Sequence, residues 1–565
     1  MRRTEWVLDR TEAVGERGMV AAKHELAAEV GAQVLEAGGN AVDAAIATAF
    51  TVAVVEPFMS GIGGGGLMLV YLAERGETVA IDFAMAAPRA ARPEMYELLD
   101  TTGPGMFGWR GARDDANIHG PLSIAVPGTV AGLALAAERY GTMPLRELLQ
   151  PALRYARDGV PVSWHTSFEI AQDLELLNRY PSTRAVFTHE GLPWPVLTGL
   201  EQTMLVQADL ARSLEAIAEQ GPDVLYRGEL SRTLVAGLGE LGAILTEEDL
   251  RGYEVRVSEP LWGRYRGYRV AAAPAPSGGP TLLECFNLMA CFDLRASGHN
   301  SVETLHRLIE SFRQAFVDRF AYLADPAFAE VPVAGLIDPA YAREQAVRIG
   351  ARARPVVEPG DPQRLGARRR YQRSMPGYGT GSTTHISVVD RWGNAVSLTQ
   401  TLLSAWGSRV VAPGTGILMN NGMMWFDPEP GRANSIEPGK RPLANMSPVL
   451  VLDGERVFLS LGAMGGRKII AALAQIVSNV VDHAMGIQAA ISAPRVDCSV
   501  QPPQISSRID PGVVEGLRAR GHRLQVVVED VANVPFASPV GVLVGRDGTL
   551  RGGANPYYPA MAIGL

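Results

Sequence analysis

Residues 383–402 read TTHISVVDRWGNAVSLTQTL, two segments of alternating character separated by Arg391-Trp392-Gly393. Period-two alternation on both sides of a glycine-bearing turn specifies a β-hairpin. With Asp390 facing Asn394 and Gly393 supplying the left-handed residue, the register carries Thr383 opposite Thr401. Facing residues share one side of a sheet, so two hydroxyls come within hydrogen-bonding reach at the open end of the hairpin. The chain enters that end through Gly379-Thr380-Gly381-Ser382. His385 falls on the same strand face as Thr383 and is expected to be a supporting hydrogen-bonder rather than a base or a metal ligand.

A second hairpin, over residues 447–461 about Asp453-Gly454, leads into GAMGGRKIIAALAQIVSNVVDH. Ile469, Leu473, Ile476 and Val480 mark an amphipathic helix there, with Gly465 and Gly466 at its N-terminus. Backbone N–H groups at a helix start have no intrahelical acceptor, and glycine lets a substrate approach them closely. Gly465 and Gly466 are therefore candidate donors to the oxyanion of a tetrahedral intermediate, although the pair would also suit a tight turn alone.

At 565 residues the chain exceeds what one compact core usually holds. Residues 25–37 form an amphipathic helix stopped by Gly38-Gly39, and Asn40 caps the next. The apolar run Ala44 to Val55 stops at Glu56-Pro57 and is too short to span a bilayer, so it reads as a buried helix. Strands are expected at 67–72 and 78–83, and a mostly helical cover from 128 to 325, including 128–139, 204–219 and 302–323. Residues 351–382 carry Arg352, Arg354, Arg364, Arg368, Arg369, Arg370 and Arg373 among Pro and Gly, the pattern of a solvated surface linker. Gly63 to Gly66 lacks the Lys-Ser/Thr of a phosphate loop and reads as close packing near Thr383.

A net charge of −8 gives no basic field for nucleic acid or anionic membranes and points to a small-molecule partner. Cys285, Cys291 and Cys498 have the spacing of neither a disulfide framework nor a zinc site and read as core thiols. No histidine pair has metal-ligand spacing, so neither a metal nor another cofactor is expected. The first residues turn acidic where a secretory signal would be apolar, which makes the cytoplasm the expected location.

From GMVAAKHELAAEVGAQVLEAGGNAVDAAIA to GGANPYYPAMAIG the sequence resembles the γ-glutamyltranspeptidase family of N-terminal-nucleophile hydrolases. The resemblance rests on Gly63 to Gly66, PGTVAGL at 127–133, YGTMPL at 140–145, TTHISVVD at 383–390 and GKRPLANMSP at 439–448. It implies an α+β fold, a four-layer αββα sandwich, whose precursor cleaves itself between Ser382 and Thr383. The products would be a large chain, residues 1–382 with 351–382 leading to the cut, and a small chain, residues 383–565. Such a pair forms one heterodimeric unit, and two units could associate as a dimer of heterodimers. The free amine of Thr383, a group that titrates near ~7.7 to 8.0 in a reference terminus, would then act as base for the same residue's hydroxyl. Thr401 would orient that hydroxyl, and the amides of Gly465 and Gly466 would hold the oxyanion of an amide substrate.

The sequence departs from the family where the charged head of a γ-glutamyl group is held. Ala84, in Asp82-Phe83-Ala84-Met85, stands for a carboxylate-binding arginine, and Leu403 for an asparagine. Trp425, following Asn420-Asn421-Gly422-Met423-Met424, replaces an ammonium-binding aspartate, and Ala444 with Asn445 replaces a pair of serines. Hydrogen bonds to charged groups contribute roughly 1.5 to 3 kcal/mol each, so these losses disfavour a zwitterionic head and favour an apolar or aromatic acyl group. Asn421 and Arg467 complete the candidate substrate-binding set, with Arg467 and Arg113 as candidate partners of a substrate carboxylate. The expectation is a self-processing amidohydrolase that forms an acyl-enzyme on Thr383 and takes a non-glutamyl acyl group, as cephalosporin-acylase-like enzymes or small-amide hydrolases such as oxamate amidohydrolase do. The alternatives are a γ-glutamyltransferase or glutathione hydrolase with unusual substrate binding, and an unprocessed binding protein of the same fold.

Overall fold

Alternation within strands assigns successive side chains to different cores, and that assignment places the hairpin centrally. The computed structural model describes residues 7–102, 109–196, 202–363, 381–531 and 534–565. Fourteen strands build two seven-stranded sheets: β1 (Ala13–Gly15), β2 (Gly18–Ala22), β3 (Gly65–Leu72), β4 (Glu77–Phe83), β5 (Arg256–Ser258), β6 (Leu261–Tyr265), β7 (Tyr268–Ala272), β8 (Gly381–Asp390), β9 (Ala395–Ser404), β10 (Val449–Asp453), β11 (Arg456–Met464), β12 (Ser538–Val544), β13 (Leu550–Ala554) and β14 (Met561–Gly564). The first sheet runs β14-β2-β8-β9-β3-β4-β5 and the second β1-β13-β12-β11-β10-β7-β6. Pairing within both is antiparallel. The principal helices are α1 (Glu25–Glu36), α2 (Ala41–Val55), α3 (Thr129–Tyr140), α4 (Leu145–Asp158), α5 (Ala208–Gln220), α6 (Gly279–Ala290), α7 (Val302–Tyr322) and α8 (Lys468–Val481).

In the first sheet, Val20, Ala22, Ile386, Val388, Val396 and Leu398 pack with α1 to α5. Their neighbours Met19, Ala21, Val389 and Ala395 point the other way, against Leu450, Leu452, Val540 and Val542 of the second sheet. The opposite face of the second sheet, with Val449, Val451, Leu459 and Leu461, packs on α6, α7 and α8. The hairpin β8–β9 is thus buried on both sides in the middle of the first sheet.

Local signals behave as their chemistry requires. Asn40 caps α2 through a reciprocal capping box with Asp43, and the helix ends at Glu56 before Pro57. Among the described residues no helix is long and apolar enough to cross a membrane.

Four expectations need correction. The stretch from 128 to 325 is mostly helical, as expected, but it is more than a cover, because β5, β6 and β7 lie within it and supply edge strands to both sheets. The helix expected at 204–219 begins at Ala208, after Met204–Leu205 pairs as a short strand with Val160–Pro161. Cys285 and Cys498 are buried, but Cys291 is exposed. The segment from 351 is not simply solvated: Arg354 donates to Glu310 and Gln314 of α7, and Val357 and Gly360 are buried. The opposite charge of Glu310 and the amide of Gln314 satisfy that guanidinium better than a bare surface would. Arg364, Arg368, Arg369, Arg370 and Arg373 lie outside the described residues.

Asp390 ties the hairpin turn to α2. One carboxylate oxygen accepts from the N–H groups of Trp392 and Asn394, the other from Ala41 N and Asn394 Nδ2. Replacing it by alanine strands four donors, three in the hairpin turn and one at the start of α2. Asp390→Ala is expected to lower stability by about 3 kcal/mol, more than Asp390→Asn does, as measured by denaturant or thermal unfolding.

Candidate active site

The expected register holds along most of the hairpin. Val389 pairs with Ala395, His385 with Thr399 and Thr384 with Gln400. It then shifts, so that Ser382 pairs with Leu403. Thr383 sits in the irregularity facing two residues, Thr401 and Leu402, which is a β-bulge. Leu403 takes a φ of 98°, a left-handed conformation that leucine seldom adopts. Backbone strain of this kind concentrates at functional sites, where the surrounding packing holds it in place.

The bulge brings the two hydroxyls together. Thr383 Oγ1 donates to Thr401 Oγ1 at 3.2 Å, and Thr401 Oγ1 donates to the carbonyl oxygen of Ser382 at 2.6 Å. Thr401 Oγ1 also accepts from Leu403 N at 2.7 Å, and Thr383 Oγ1 itself contacts the Ser382 carbonyl oxygen. One hydroxyl therefore bridges the candidate nucleophile and the carbonyl next to it. Thr383 and Thr401 are 1% and 0% exposed, which raises the energetic weight of each polar contact.

The residue before the candidate nucleophile is gripped as well. Ser382 Oγ donates to the carbonyls of Phe58 and Met59 at 2.7 and 2.8 Å. Gly64 packs against the backbone of Thr401, where a Cβ would come within 2.2 Å of its carbonyl oxygen. Close packing, the role expected of Gly63 to Gly66, is what that contact demands.

His385 accepts and donates along the hairpin, with Nδ1 against Thr399 Oγ1 at 2.8 Å and Nε2 against Ser387 Oγ at 3.1 Å. Its ring covers Gly462 of β11, where a Cβ would lie 2.2 Å from a ring carbon. Burial lowers its pKa to about 3, so the imidazole is neutral at ordinary pH and supports the inter-sheet contact rather than carrying protons.

Gly465 and Gly466 follow β11 and precede α8, as expected, with φ of 131° and 60°. A side chain at Gly465 would press within 2.8 Å of Ala537 Cα. Their position at the start of a fourteen-residue helix leaves backbone N–H groups without helical acceptors.

Ala84, Leu403, Trp425 and Ala444 belong to one apolar cluster, together with Met85, Met423, Met424, Phe426 and Met446. Trp425 Nε1 has no acceptor among the described residues. Asn421 is committed to the fold rather than open to substrate: its Nδ2 donates to Ile118 O and Ser404 Oγ, and its Oδ1 accepts from Ser404 N. Asn445 Oδ1 accepts from Arg319 Nη2 at 3.1 Å. Arg467 is buried over the Phe320 ring, and burial lowers its pKa to about 10 although Asp497 acts in the other direction. Arg113 does not join the site; it pairs with Glu97 on the surface, where both charged groups keep most of their hydration.

Arg319 escaped the sequence reading. It is fully buried and donates to Ser277 O at 3.0 Å and Ala444 O at 2.6 Å. Burial, with the like charge of Arg467, lowers its pKa to about 9. The signal was an arginine on the apolar face of the helix expected at 302–323.

With this geometry in place, a sequence profile described as Gamma-glutamyltranspeptidase matches residues 27–564. The chain is 38% identical to the "Acylase ACY 1 proenzyme" of Pseudomonas sp. (strain SE83), covering 97% of this chain and 94% of the relative. It is 34% identical to the "Glutathione hydrolase proenzyme" of Bacillus subtilis (strain 168), covering 98% and 92%. The crystal structure of cephalosporin acylase from Bacillus halodurans superposes with a TM-score of 0.86 at 29% identity, covering 100% of this chain and 99% of that one.

The neutrality of His385 has a measurable consequence. The unfolded residue takes a proton below about 6.5, whereas the folded one resists it down to about 3. Its contribution to stability is thus complete above the unfolded value and is lost as pH falls through the interval between the two. His385→Asn is expected to make the loss of thermal stability between pH 6.5 and pH 4 shallower than in the parent, as followed by unfolding midpoints.

Proposed function

The chain belongs to the γ-glutamyltranspeptidase family, and from that premise we propose that Thr383 is the nucleophile of a self-processing amidohydrolase that takes a non-glutamyl acyl group. Relatives named as proenzymes, among them an acylase and a glutathione hydrolase, support maturation by cleavage into two chains, here residues 1–382 and 383–565. The three apolar cores, between helices and sheet, sheet and sheet, and sheet and helices, support the four-layer αββα arrangement of the N-terminal-nucleophile hydrolases. Ala84, Leu403, Trp425 and Ala444 line the acyl side in this reading.

The observation that carries the proposal is the hydroxyl of Thr401 between Thr383 Oγ1 and the Ser382 carbonyl oxygen. As Thr383 Oγ1 attacks the Ser382 carbonyl carbon, its proton passes to Thr401 Oγ1 while Thr401 gives its own proton to the carbonyl oxygen, so the tetrahedral intermediate forms without separated charge. As the C–N bond breaks and the carbonyl re-forms, that proton leaves the oxygen for the Thr383 nitrogen, and an ester between Ser382 and Thr383 Oγ1 remains. Water hydrolyses that ester to a Ser382 carboxylate and a free Thr383 amine. The amine has no counterpart before cleavage, and it activates the hydroxyl of its own residue toward an amide substrate. Gly465 and Gly466 supply N–H groups to the oxyanion formed from that substrate, and the acyl-enzyme passes its acyl group to water or to an amine.

An apolar cluster at the acyl side cannot match the charges of a γ-glutamyl head, since an unpaired buried charge costs far more than an unpaired dipole. 4-Nitroaniline release is expected to be on the order of a hundred-fold faster from an apolar or aryl-acyl 4-nitroanilide than from the γ-glutamyl 4-nitroanilide. Thr383→Ala is expected to remain one chain and release no 4-nitroaniline. Preferential turnover of the γ-glutamyl anilide would favour an unusual glutathione hydrolase, and turnover by Thr383→Ala would remove the nucleophile assignment.

A further inference from the structure

Behind the turn that grips Ser382 lies a buried ion pair that the chemistry above does not use. Lys23 follows β2, and Glu56 ends α2. Lys23 Nζ and Glu56 Oε1 are 2.7 Å apart, with the side chains 1% and 0% exposed. Lys23 Nζ also lies 4.1 Å from the centre of the Tyr558 ring, while Glu56 Oε2 has no hydrogen-bond partner among the described residues. A buried ion pair is a poor source of stability, because removing two charges from water offsets most of their attraction. What it imposes is a single geometry.

That geometry is transmitted to Ser382 over a few bonds. The carbonyl of Glu56 accepts from Met59 N at 3.0 Å, closing the turn that presents the Phe58 and Met59 carbonyls. Both carbonyls accept Ser382 Oγ, and on their other side they accept Trp406 N and Leu402 N from the end of β9 and the loop after it. Lys23 is the next residue after Ala22, whose strand partner is Ile386 in β8. The pair thus fixes the turn holding Ser382 relative to the strand holding Thr383, and these are the two residues whose shared peptide must present its carbonyl to Thr383 Oγ1.

We infer that the Lys23–Glu56 pair is a positioning device for self-cleavage, acting through the Phe58 and Met59 carbonyls on the Ser382 hydroxyl. The inference rests on the proposed cut between Ser382 and Thr383. Once that bond is broken, the orientation of Ser382 no longer constrains Thr383, so the pair governs maturation and has little influence on turnover by the matured protein.

The test uses the full-length chain, with the conversion of precursor to two chains followed by mass spectrometry. A Lys23→Met, Glu56→Met double variant removes the pair without stranding either charge, and Glu56→Gln is a milder second variant. Both are made with and without Ser382→Ala, which deletes only the hydroxyl that the turn holds. The expected result is cleavage slowed at least about ten-fold by either change at the pair, with kcat and KM of the matured fraction near the parent's. In the Ser382→Ala background the same changes should add little, because the group they act through is already absent. An equal slowing in both backgrounds, a parallel fall of cleavage and kcat, or unaltered cleavage would each overturn the positioning role. A parent that never cleaves would instead remove the self-cleavage reading on which it rests.

Discussion

A bulge at the open end of one buried hairpin sets the geometry on which the site depends. A regular ladder would put Thr383 and Thr401 side by side with both hydroxyls aimed into the same space. The extra residue on β9 instead lets Thr401 Oγ1 lie between Thr383 Oγ1 and the Ser382 carbonyl, at 3.2 and 2.6 Å. The left-handed Leu403 is part of that distortion, and its amide returns a hydrogen bond to Thr401 Oγ1. Strain and polar satisfaction are coupled here: the backbone departs from the strand, and the departure supplies the donor that the hydroxyl accepts.

The surrounding architecture protects that arrangement. Strand alternation sends Val388 and Val396 toward the helices and leaves Ser387, Ser397, His385 and Thr399 on the side that meets the second sheet. These polar groups are paired with one another or with backbone of β11, as a buried polar layer must be. The same β11 runs on to Gly465 and Gly466, so one strand of the second sheet both covers the hairpin and delivers the amides at the start of α8. Ala84, Leu403, Trp425 and Ala444 belong to one buried apolar cluster, which in the proposed reading lies on the acyl side.

The hairpin, its partnered threonines, the capped α2 and the glycine pair before α8 were legible because each depends on short-range pattern: period two, a capping residue, or a glycine at a turn. The bulge was not legible, since the end of the ladder where it falls also packs against Gly64 and Met59, residues far from the hairpin in sequence. Arg354 reads as a solvated linker residue until α7 brings Glu310 and Gln314 beside it. Asn421 reads as a substrate contact until Ile118 and Ser404, both distant in sequence, take up its amide. Arg319, Lys23 and Glu56 escaped for the same reason. A charged residue in an otherwise apolar pattern looks like a surface position, and only the tertiary fold shows that it is buried and answered.

The central claim is that Thr383 becomes an N-terminal residue through the hydroxyl geometry described above. The most direct measurement is an intact-mass spectrum of the purified protein after incubation at neutral pH, with the N-terminal sequence of each species. The expected result is two chains, the smaller beginning Thr-Thr-His-Ile at Thr383. A folded protein that persists as one chain, or a smaller chain beginning at any other residue, would contradict the account.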